Sequence, residues 1–359
     1  RWACPPAMPL AELRIENLRC IESAALEFSP RLNLIAGENG AGKTSILEGI
    51  FLLGRGRSFR TRNSERLIRQ GQPRLTVFGR SDDAPPMQAG IEVSLDGGTR
   101  ARINGENAQS LLELTAVVPV QAIDPEIHKL VDQGPERRRR WLDWLVFHVE
   151  PTFGVHWARY TRALKQRNAA LRSGAANIDV WDDELLRNGE ALTESRRRTL
   201  QRLTPVLERN FQRFGDLAVS VGFATGWLAE TSLADAFASH IDRDRKQGTT
   251  TAGPHRADVL LRRQHRVARE TLSRGQQKLT AIAMVVSQLR LLQEELRRPA
   301  VLLLDDPAAE LDERNLGRLF DELASLNCQM IATSLTPETA LFQAPSATFH
   351  VEQGRVSRV

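Results

Sequence analysis

A glycine-rich segment near the amino terminus constrains the fold more than any other feature of this chain. It follows the apolar run 32–36 and precedes the helix-like stretch 45–53. A strand, a glycine loop and a helix in this order are the context in which such a loop binds phosphate. The pattern therefore predicts a phosphate-binding loop within an α/β fold. The loop residues are Gly37, Glu38, Asn39, Gly40, Ala41, Gly42, Lys43 and Thr44.

Each residue type in this loop has a chemical reason. Glycines allow backbone N–H groups to point at phosphate oxygens, and the start of the following helix adds positive potential. Lys43 can reach the β and γ phosphates, and the Thr44 hydroxyl can ligate Mg²⁺. The alternative is a glycine-rich turn that binds nothing, but the flanking elements favour the functional interpretation. We therefore expect the chain to bind a nucleoside triphosphate.

A second candidate element lies far down the chain, where the apolar run 301–304 ends in Asp305 and Asp306. A continuous apolar run is typical of a parallel strand buried on both faces, and such a strand delivers its last carboxylate to the edge where ligands bind. We expect Asp305 to hold Mg²⁺ and Asp306 to act as general base on the attacking water. The alternative for Asp306 is a turn residue that caps the strand before Pro307.

A third element, the segment 272–278, precedes a long helix-like apolar pattern. Ser273 and Gln276 have the spacing of a capping box, which is the conservative interpretation. Together with Gly275, they could also form a second anion site at the helix start. One nucleotide needs one phosphate loop, so a second site suggests contact with a γ-phosphate held by another copy. Roughly 260 residues separate Lys43 from Asp305, which indicates an insertion between the two halves.

Length and composition narrow the class of protein. The chain has 359 residues, of which 41% are hydrophobic, which suggests two or three domains. No apolar run approaches the roughly 20 residues needed to span a bilayer. Three cysteines without paired spacing indicate neither a disulfide framework nor a zinc site, so we expect a soluble, cytoplasmic protein. We also expect Met8 to be the native start, with residues 1–7 an extension.

Arginines are clustered unevenly along the chain. Six fall within residues 55–69, and residues 137–140 are consecutive arginines. Such clusters are typical of a surface that binds a polyanion such as DNA. The alternative is a solvated helix face, because arginine outnumbers lysine 44 to 5 and is simply the usual cation of this chain. The candidate DNA contacts are Arg57, Arg60, Arg62, Arg137, Arg138 and Arg139.

The three chemical elements together resemble those of ABC-type ATPases, with residues 272–276 similar to the signature sequence of that superfamily. The resemblance extends over residues 8–359 to the RecF family of DNA replication and repair proteins. Ala309 stands where that family usually has serine, and the strand 330–334 lacks the following histidine of transport ATPases. The segments that carry the family resemblance, in chain order, are 13–20, 56–60, 134–143 and 253–258.

This resemblance implies an ABC-type P-loop ATPase head: a mixed sheet with flanking helices, an antiparallel β subdomain and an inserted helical arm. The head would comprise residues 8–128 and 251–359, and the arm residues 129–250. Two heads would sandwich ATP and Mg²⁺, each lending Ser273, Gly275 and Gln276 to the other's nucleotide. Gln121 would couple the nucleotide to the arm, with a surface-loop role as the alternative. Thr333 would sense the γ-phosphate, or be an ordinary strand-end threonine.

The resemblance also implies a biological role. ATP would drive dimerisation on double-stranded DNA and at junctions of single and double strands, and slow, DNA-linked ATP hydrolysis would reverse it. The protein would act with RecR and RecO in recombinational repair and replication-fork recovery, helping to load the RecA recombinase at gaps. Two alternatives are the ATPase subunit of a transporter and a chromosome-organising SMC-type head. The arginine-bearing arm disfavours the first, and the short arm disfavours the second.

Overall fold

The computed structural model describes residues 9–61, 63–175, 177–215, 217–296, 299–336 and 345–359. The expectation about Met8 and residues 1–7 lies outside this part of the chain. The described residues form two compact units. One, the loop unit, combines the described residues of 9–127 with those of 293–359, and the other, the helical unit, comprises those of 128–292.

The strands and helices are numbered in chain order. The strands are β1 (Glu12–Leu18), β2 (Ile21–Glu27), β3 (Leu32–Ala36), β4 (Arg74–Arg80), β5 (Gln88–Ser94), β6 (Thr99–Ile103), β7 (Glu106–Asn107), β8 (Val120–Ile123), β9 (Val219–Ala224), β10 (Asp258–Arg263), β11 (Arg266–Val267), β12 (Ala300–Leu304), β13 (Cys328–Ser334), β14 (Ala347–Glu352) and β15 (Arg355–Arg358). The α-helices are α1 (Lys43–Arg55), α2 (Leu111–Val117), α3 (Lys129–Asp132), α4 (Pro135–Val149), α5 (Phe153–Ser173), α6 (Asp182–Arg213), α7 (Leu233–Gln247), α8 (Ala268–Thr271), α9 (Arg274–Leu296), α10 (Pro307–Glu310) and α11 (Glu313–Ala324).

A mixed sheet in the loop unit carries the phosphate-binding loop. Its strand order is β15-β14-β3-β13-β12-β8, in which β14, β3, β13, β12 and β8 are parallel and β15 is antiparallel at one edge. Every residue of β3, β12 and β13 is buried. The continuous apolar sequence of β12 reflects this burial, because parallel strands inside a sheet are covered on both faces. The predicted strands at 32–36 and 301–304 are confirmed.

A second, antiparallel sheet in the same unit has the order β2-β1-β4-β5-β6-β7. Buried and exposed residues alternate along β4 and β5, as expected when one face of a sheet meets the core. Asn104 and Gly105, both with positive φ, form the turn between β6 and β7. The core joins apolar residues of this sheet to those of α1 and the mixed sheet, which fixes the helix that follows the loop.

The helical unit is built on the long helices α4, α5, α6 and α9, with the three-stranded sheet β11-β10-β9. Trp141 and Trp144 of α4 are buried and form part of the core of this unit. His255 lies in the expected turn, where its ring nitrogens hydrogen-bond to the Tyr160 hydroxyl and the Thr250 carbonyl. Among the described helices, none has both the length and the apolar character that crossing a bilayer requires.

The extent of the helical unit differs from the expected arm of residues 129–250. Residues 251–292 are compact with the helices and not with the loop unit. Two kinds of contact explain this difference. Strand β10 pairs with β9 along its full length, and Ser287 and Gln288 of α9 hydrogen-bond to Asn210 of α6 and the Trp141 carbonyl of α4.

A buried charge network stabilises the helical unit. The Arg167 side chain is fully buried on α5, and it donates hydrogen bonds to Asp182 at 2.8 Å, Asp244 at 2.7 Å and the Thr250 hydroxyl at 2.8 Å. Asp244 is itself 0% exposed. Because a buried ion that loses its partner cannot recover its hydration, each member of this network depends on the others.

We expect Arg167→Gln to lower the free energy of unfolding by about 3–5 kcal/mol, since it leaves the Asp244 carboxylate buried and uncompensated. Urea unfolding followed by circular dichroism measures the change. The matched control is Arg162→Gln, an exposed position on the same helix, for which the expected change is below about 0.5 kcal/mol. Equal stability of the two variants would contradict the assigned role of the network.

Candidate phosphate-binding and metal site

The phosphate-binding loop connects β3 to α1, and close contacts fix its shape. A β carbon at Gly37 would collide with the carbonyl oxygen of Val351 in β14, so only glycine fits there. Gly42 has φ +118°, a conformation that residues with a side chain rarely adopt. On the other side of the loop, the Gly354 N–H donates a hydrogen bond to the Ala41 carbonyl at 2.8 Å. The hairpin β14–β15 therefore supports the loop from outside.

Lys43, the first residue of α1, lies folded over the loop. Its side chain is largely buried, and Nζ donates to the carbonyls of Gly37 at 2.6 Å and Glu38 at 2.9 Å. Burial lowers the pKa of Lys43, although the negative charges of Asp306 and Asp305 oppose the shift. The ammonium is thus held in place by neutral acceptors, and an arriving anion would supply the charge compensation that these carbonyls do not.

Asp305 and Thr44 meet although 261 residues separate them in the sequence. The Thr44 hydroxyl donates to the two carboxylate oxygens of Asp305 at 2.9 and 3.2 Å. The Thr333 hydroxyl at the end of β13 approaches Asp305 Oδ1 at 3.0 Å. Burial raises the pKa of Asp305, while the hydrogen bonds from the two threonines and the positive charge of Arg60 work in the opposite direction. The predicted pairing of loop and strand end is present.

These oxygen atoms fit a magnesium ion. Mg²⁺ prefers hard oxygen ligands, and it is usually bound by one or two protein groups together with phosphates and waters. Thr44 and Asp305 provide a hydroxyl and a carboxylate in contact with each other. The carboxylate is largely buried, and this burial raises its pKa, which disfavours its charged form. A cation beside it would reverse that penalty.

Asp306 adopts a left-handed backbone conformation with φ 48° and ψ 54°, which is uncommon for a residue other than glycine. Its N–H donates to the Thr333 hydroxyl at 2.8 Å. Thr333 therefore bridges both aspartates, through the side chain of one and the backbone of the other. Asp306 is also the residue before α10, so the turn role considered for it and its position at the site are both present in the structure.

The loop and the strand ends surround a cavity of about 660 Å³, a size typical of small-molecule sites. The predicted site residues that line it are Asn39, Gly40, Gly42, Lys43, Thr44, Asp305, Asp306 and Thr333. The sequence interpretation did not assign the other lining residues to a nucleotide site, and these are Cys20, Ser45, Phe59, Arg60, Asp124, Pro125 and Glu126. Asp124 follows the parallel strand β8, so the rule that identified Asp305 would also have found it.

Gln121 and Arg60 lie in surroundings that the sequence did not predict. Gln121 is a buried residue inside β8 and does not line the cavity, because the strand continues for two more residues before the chain reaches its edge. The surface-loop alternative for Gln121 is equally inconsistent with this burial. Arg60, a candidate DNA contact, lines the cavity near Asp305. The loop residues Gly37, Glu38 and Ala41 shape the site through their backbones.

A buried carboxylate holds the segment that carries Phe59 and Arg60. Glu48 lies one turn beyond Thr44 on α1 and is 0% exposed. Its carboxylate contacts Arg19 Nε at 2.6 Å and accepts a hydrogen bond from the Ser58 hydroxyl at 2.6 Å. Ser58 Oγ in turn accepts from the backbone N–H groups of residues 60 and 61. Through Ser58, Glu48 therefore holds the segment of the cavity residues Phe59 and Arg60. Through Arg19, it holds the residue that precedes the cavity residue Cys20.

The remaining arginine candidates occupy different environments. Arg138 is buried and forms a bidentate ion pair with Asp258 at 2.8 and 2.9 Å, so its guanidinium is unavailable to DNA, contrary to expectation. Arg139 is partly buried and donates to the Ala257 carbonyl at 2.7 Å. Arg137 bonds to the Gln133 side chain at 2.8 Å. Arg57 is half-buried, and Arg62 lies outside the described residues.

The signature segment forms the capping box at the start of α9. The Ser273 N–H donates to Gln276 Oε1 at 3.0 Å, and the Gln276 N–H donates to the Ser273 hydroxyl at 3.3 Å. Ser273 and Gly275 are exposed, and a β carbon at Gly275 would meet open space. The conservative interpretation of these residues is confirmed, and their exposure leaves the helix start accessible to another molecule.

We expect Ser58→Ala to lower the free energy of unfolding by about 1–3 kcal/mol, because buried Glu48 loses a hydrogen bond that water cannot replace. Chemical denaturation of the whole chain measures this. Ser64→Ala is the matched control: the Ser64 hydroxyl has no hydrogen bond within the described ranges, so its removal should change stability by less than about 0.5 kcal/mol. A neutral effect of both substitutions would show that the Glu48 contact is unimportant.

Comparison with known proteins agrees with this geometry. Residues 9–357 match the family described as RecF/RecN/SMC N terminal domain. The DNA replication and repair protein RecF of Shewanella baltica strain OS155 is 39% identical over 357 residues, covering 98% of this chain and 99% of the relative. RecF of Pseudomonas savastanoi pv. phaseolicola is 39% identical over 361 residues, covering 98% of each chain.

Solved structures show the same fold. The recombination mediator protein RecF with ATP, of the RecFOR pathway, has a TM-score of 0.87 at 24% identity over 100% of both chains. An SmcHead bound to the C-winged helix domain of ScpA has a TM-score of 0.57 at 17% identity, over 99% of this chain and 97% of the other. The chain therefore belongs to the RecF family of DNA replication and repair proteins, and its fold is that of an ABC-type ATPase head.

Proposed function

We propose that this protein is an ATP-dependent DNA-binding protein of recombinational repair and replication-fork recovery. The observation that carries the proposal is the contact between Thr44 and Asp305 at 2.9 Å, which joins a phosphate-binding loop to a metal-binding strand end in one cavity. The family of the chain supports the repair role. A similar fold is known with ATP bound, which supports the choice of nucleotide.

In the proposed mechanism, backbone N–H groups of the loop and the start of α1 bind the β and γ phosphates of ATP. Lys43 exchanges its carbonyl partners for phosphate oxygens, which restores the charge compensation that burial removes. Arg60 adds a second cation from the segment that Glu48 fixes. Thr44 and Asp305 would hold Mg²⁺, which when bound neutralises charge that develops on the phosphates.

Asp306 is proposed as the general base that orients the attacking water. It follows Asp305 directly and lines the same cavity. Its left-handed backbone has a cost, which the hydrogen bond from its N–H to Thr333 helps to offset. Uncommon backbone conformations of this kind cluster at functional sites, which supports a catalytic role over a turn role alone.

ATP is proposed to join two copies of the chain. Ser273, Gly275 and Gln276 of one copy would contact the γ-phosphate bound by the other, because a helix start presents free N–H groups to an anion. The exposure of Ser273 and Gly275 at the beginning of the 23-residue helix α9 supports this role. Completion of each site only on closure would make hydrolysis slow and dependent on the dimer. Ala309 removes one hydroxyl from the turn expected to face the partner.

The finer biological assignments follow from family membership. The dimer would bind duplex DNA and junctions between single and double strands in the cytoplasm. It would act with RecR and RecO to load RecA at gaps. By function we assign residues 8–128 and 251–359 to the head, because the second segment carries the signature residues, although residues 251–292 are compact with the helices. The described arm disfavours an SMC-type role, because α5 and α6, of 21 and 32 residues, reach only about 32 and 48 Å.

Duplex binding in a gel-shift titration should require ATP and should weaken at least tenfold in Lys43→Met, since that variant loses the ammonium that neutralises the phosphates. Calorimetry with ATP alone should show the same loss of nucleotide affinity. Glu38→Gln is the control, because Glu38 is exposed and its side chain does not line the cavity. Duplex binding that is indifferent to ATP, or absent at low salt, would refute the proposal.

Asp306→Asn should reduce ATP hydrolysis by roughly 10²–10⁴-fold, the usual contribution of general base catalysis, and should leave nucleotide binding intact. With saturating ATP, light scattering should therefore detect an accumulated dimer. Asp321→Asn on an exposed face of α11 should behave like the unaltered chain. If Asp306→Asn stays monomeric while it binds ATP, the two copies do not share a nucleotide as proposed.

A further inference from the structure

Helix α5 has an unusual charge composition. Its 21 residues include no aspartate or glutamate, but besides Arg167 they include three arginines and one lysine. Arg167 is buried and hydrogen-bonded within the charge network of the helical unit. The other cations have no structural role of that kind, which raises the question of what balances them.

The geometry of α5 separates its two faces. Tyr160, Ala163, Arg167 and Leu171 are buried against the unit, at the three- and four-residue spacing of one helix face. The remaining cations fall on the opposite side and are exposed. We call them the α5 cation face, which consists of Arg159, Arg162, Lys165 and Arg172.

Within the described part of the chain, no carboxylate lies within ion-pair distance of any member of the α5 cation face. The neighbouring helix α6 is different between residues 187 and 202, where its exposed arginines are paired with carboxylates. Arg187 pairs with Glu184 at 3.2 Å, and Arg197 pairs with Glu194 at 2.8 Å. Arg198 and Arg202 both contact Glu150, at 2.7 and 2.8 Å.

This difference decides which surface suits an anionic partner. An arginine already paired with a carboxylate must give up that partner before it can bind a phosphate, and the paired carboxylate then repels the phosphate. The α5 cation face has neither cost. Acidic residues on adjacent elements, such as Glu190 of α6 and Asp242 of α7, are exposed but form no ion pair with it in the described chain.

The positive surface continues beyond α5. Arg172, near the end of the helix, lies beside the end of α7: a β carbon at Gly248 would be 3.1 Å from Arg172 Cγ. The last turn of α7 carries Arg245 and Lys246, which are exposed. Basic residues in the last turn of a helix also interact favourably with the helix dipole, so these two residues alone do not indicate a binding surface. Arg245 and Lys246 continue the positive surface of α5 onto the end of α7.

We propose that the α5 cation face is a binding surface for the phosphate backbone of duplex DNA, an inference that rests on the proposed function and assigns its contact surface. From Arg159 to Arg172 the face extends about 20 Å along a rigid helix. Duplex DNA offers a phosphate every 1.7 Å or so along its axis, so four cations on such a rod can each meet one.

The observations favour a nucleic acid over an acidic protein segment. Protein partners usually need buried aromatic or aliphatic anchors at the centre of an interface. Between its cations, the exposed face of α5 offers mainly small or polar side chains, those of Ala158, Thr161, Gln166 and Ala169. The exposed apolar side chains of α5, Val155 and Trp157, lie before the first cation of this face. The cations themselves therefore surround no apolar anchor, which suits a partner that is recognised through its backbone.

The test compares two charge-matched double variants of the full chain in duplex titrations with ATP at several salt concentrations. Arg162→Gln with Lys165→Gln removes two central members of the α5 cation face. Arg187→Gln with Arg197→Gln removes two exposed arginines of α6 that are ion-paired. Glutamine is a good helix former, so both variants should fold, which circular dichroism verifies.

For the α5 variant we expect affinity to fall on the order of tenfold, and the slope of log affinity against log salt to shrink by about 2, since each phosphate contact contributes about 0.9. The α6 variant should bind nearly as the unaltered chain does. Equal weakening of DNA binding in both variants would show that only net charge matters. Unchanged affinity in the α5 variant would exclude DNA from this surface. Either result overturns the inference while the proposed function stands. Failure of the unaltered chain to bind duplex would overturn both.

Discussion

The organisation of the site depends on the contact between the Thr44 hydroxyl and the Asp305 carboxylate. Neither residue is close to the other in the sequence, and the parallel sheet is what brings them together. Strands β3 and β12 lie on either side of β13, so their carboxyl ends meet at the same edge. Thr333, at the end of β13, stands between them and contacts both aspartates. Three adjacent strand ends thus supply the loop, the metal-binding carboxylate and the hydroxyl that links them.

Burial gives these groups their chemical character. Lys43 and Asp305 are both largely withdrawn from water, and burial lowers the pKa of one and raises that of the other. Each pKa shift indicates that burial makes the charged form of that side chain less favourable. A triphosphate and a cation carry the complementary charges, so binding both together removes both penalties at once. Desolvation of Lys43 and Asp305 therefore favours binding of a nucleotide together with its metal ion, because these two ligands compensate both buried charges.

Local patterns predicted the parts of this structure that depend on neighbouring residues in the chain. The loop 37–44, the strand before Asp305 and the capping box at Ser273 each have a short sequence explanation, and each is present. The contributions of Cys20 and Phe59 to the cavity had no such explanation, because tertiary packing brings their segments to the loop. Arg138 was misjudged for a related reason: a run of arginines looks like a charged surface until the partner Asp258, 120 residues away, is known.

The support that β14 and β15 give to the loop has a consequence for how the protein matures. Gly37 lies against Val351, and Gly354 donates a hydrogen bond to Ala41, so the loop takes its shape partly from the last described strands. Translation delivers the glycine segment early and this hairpin more than 300 residues later. A nascent chain therefore carries every residue of the loop long before it has the backbone that shapes it. Competence to bind nucleotide is accordingly acquired only after this hairpin has been synthesised and has packed against the loop.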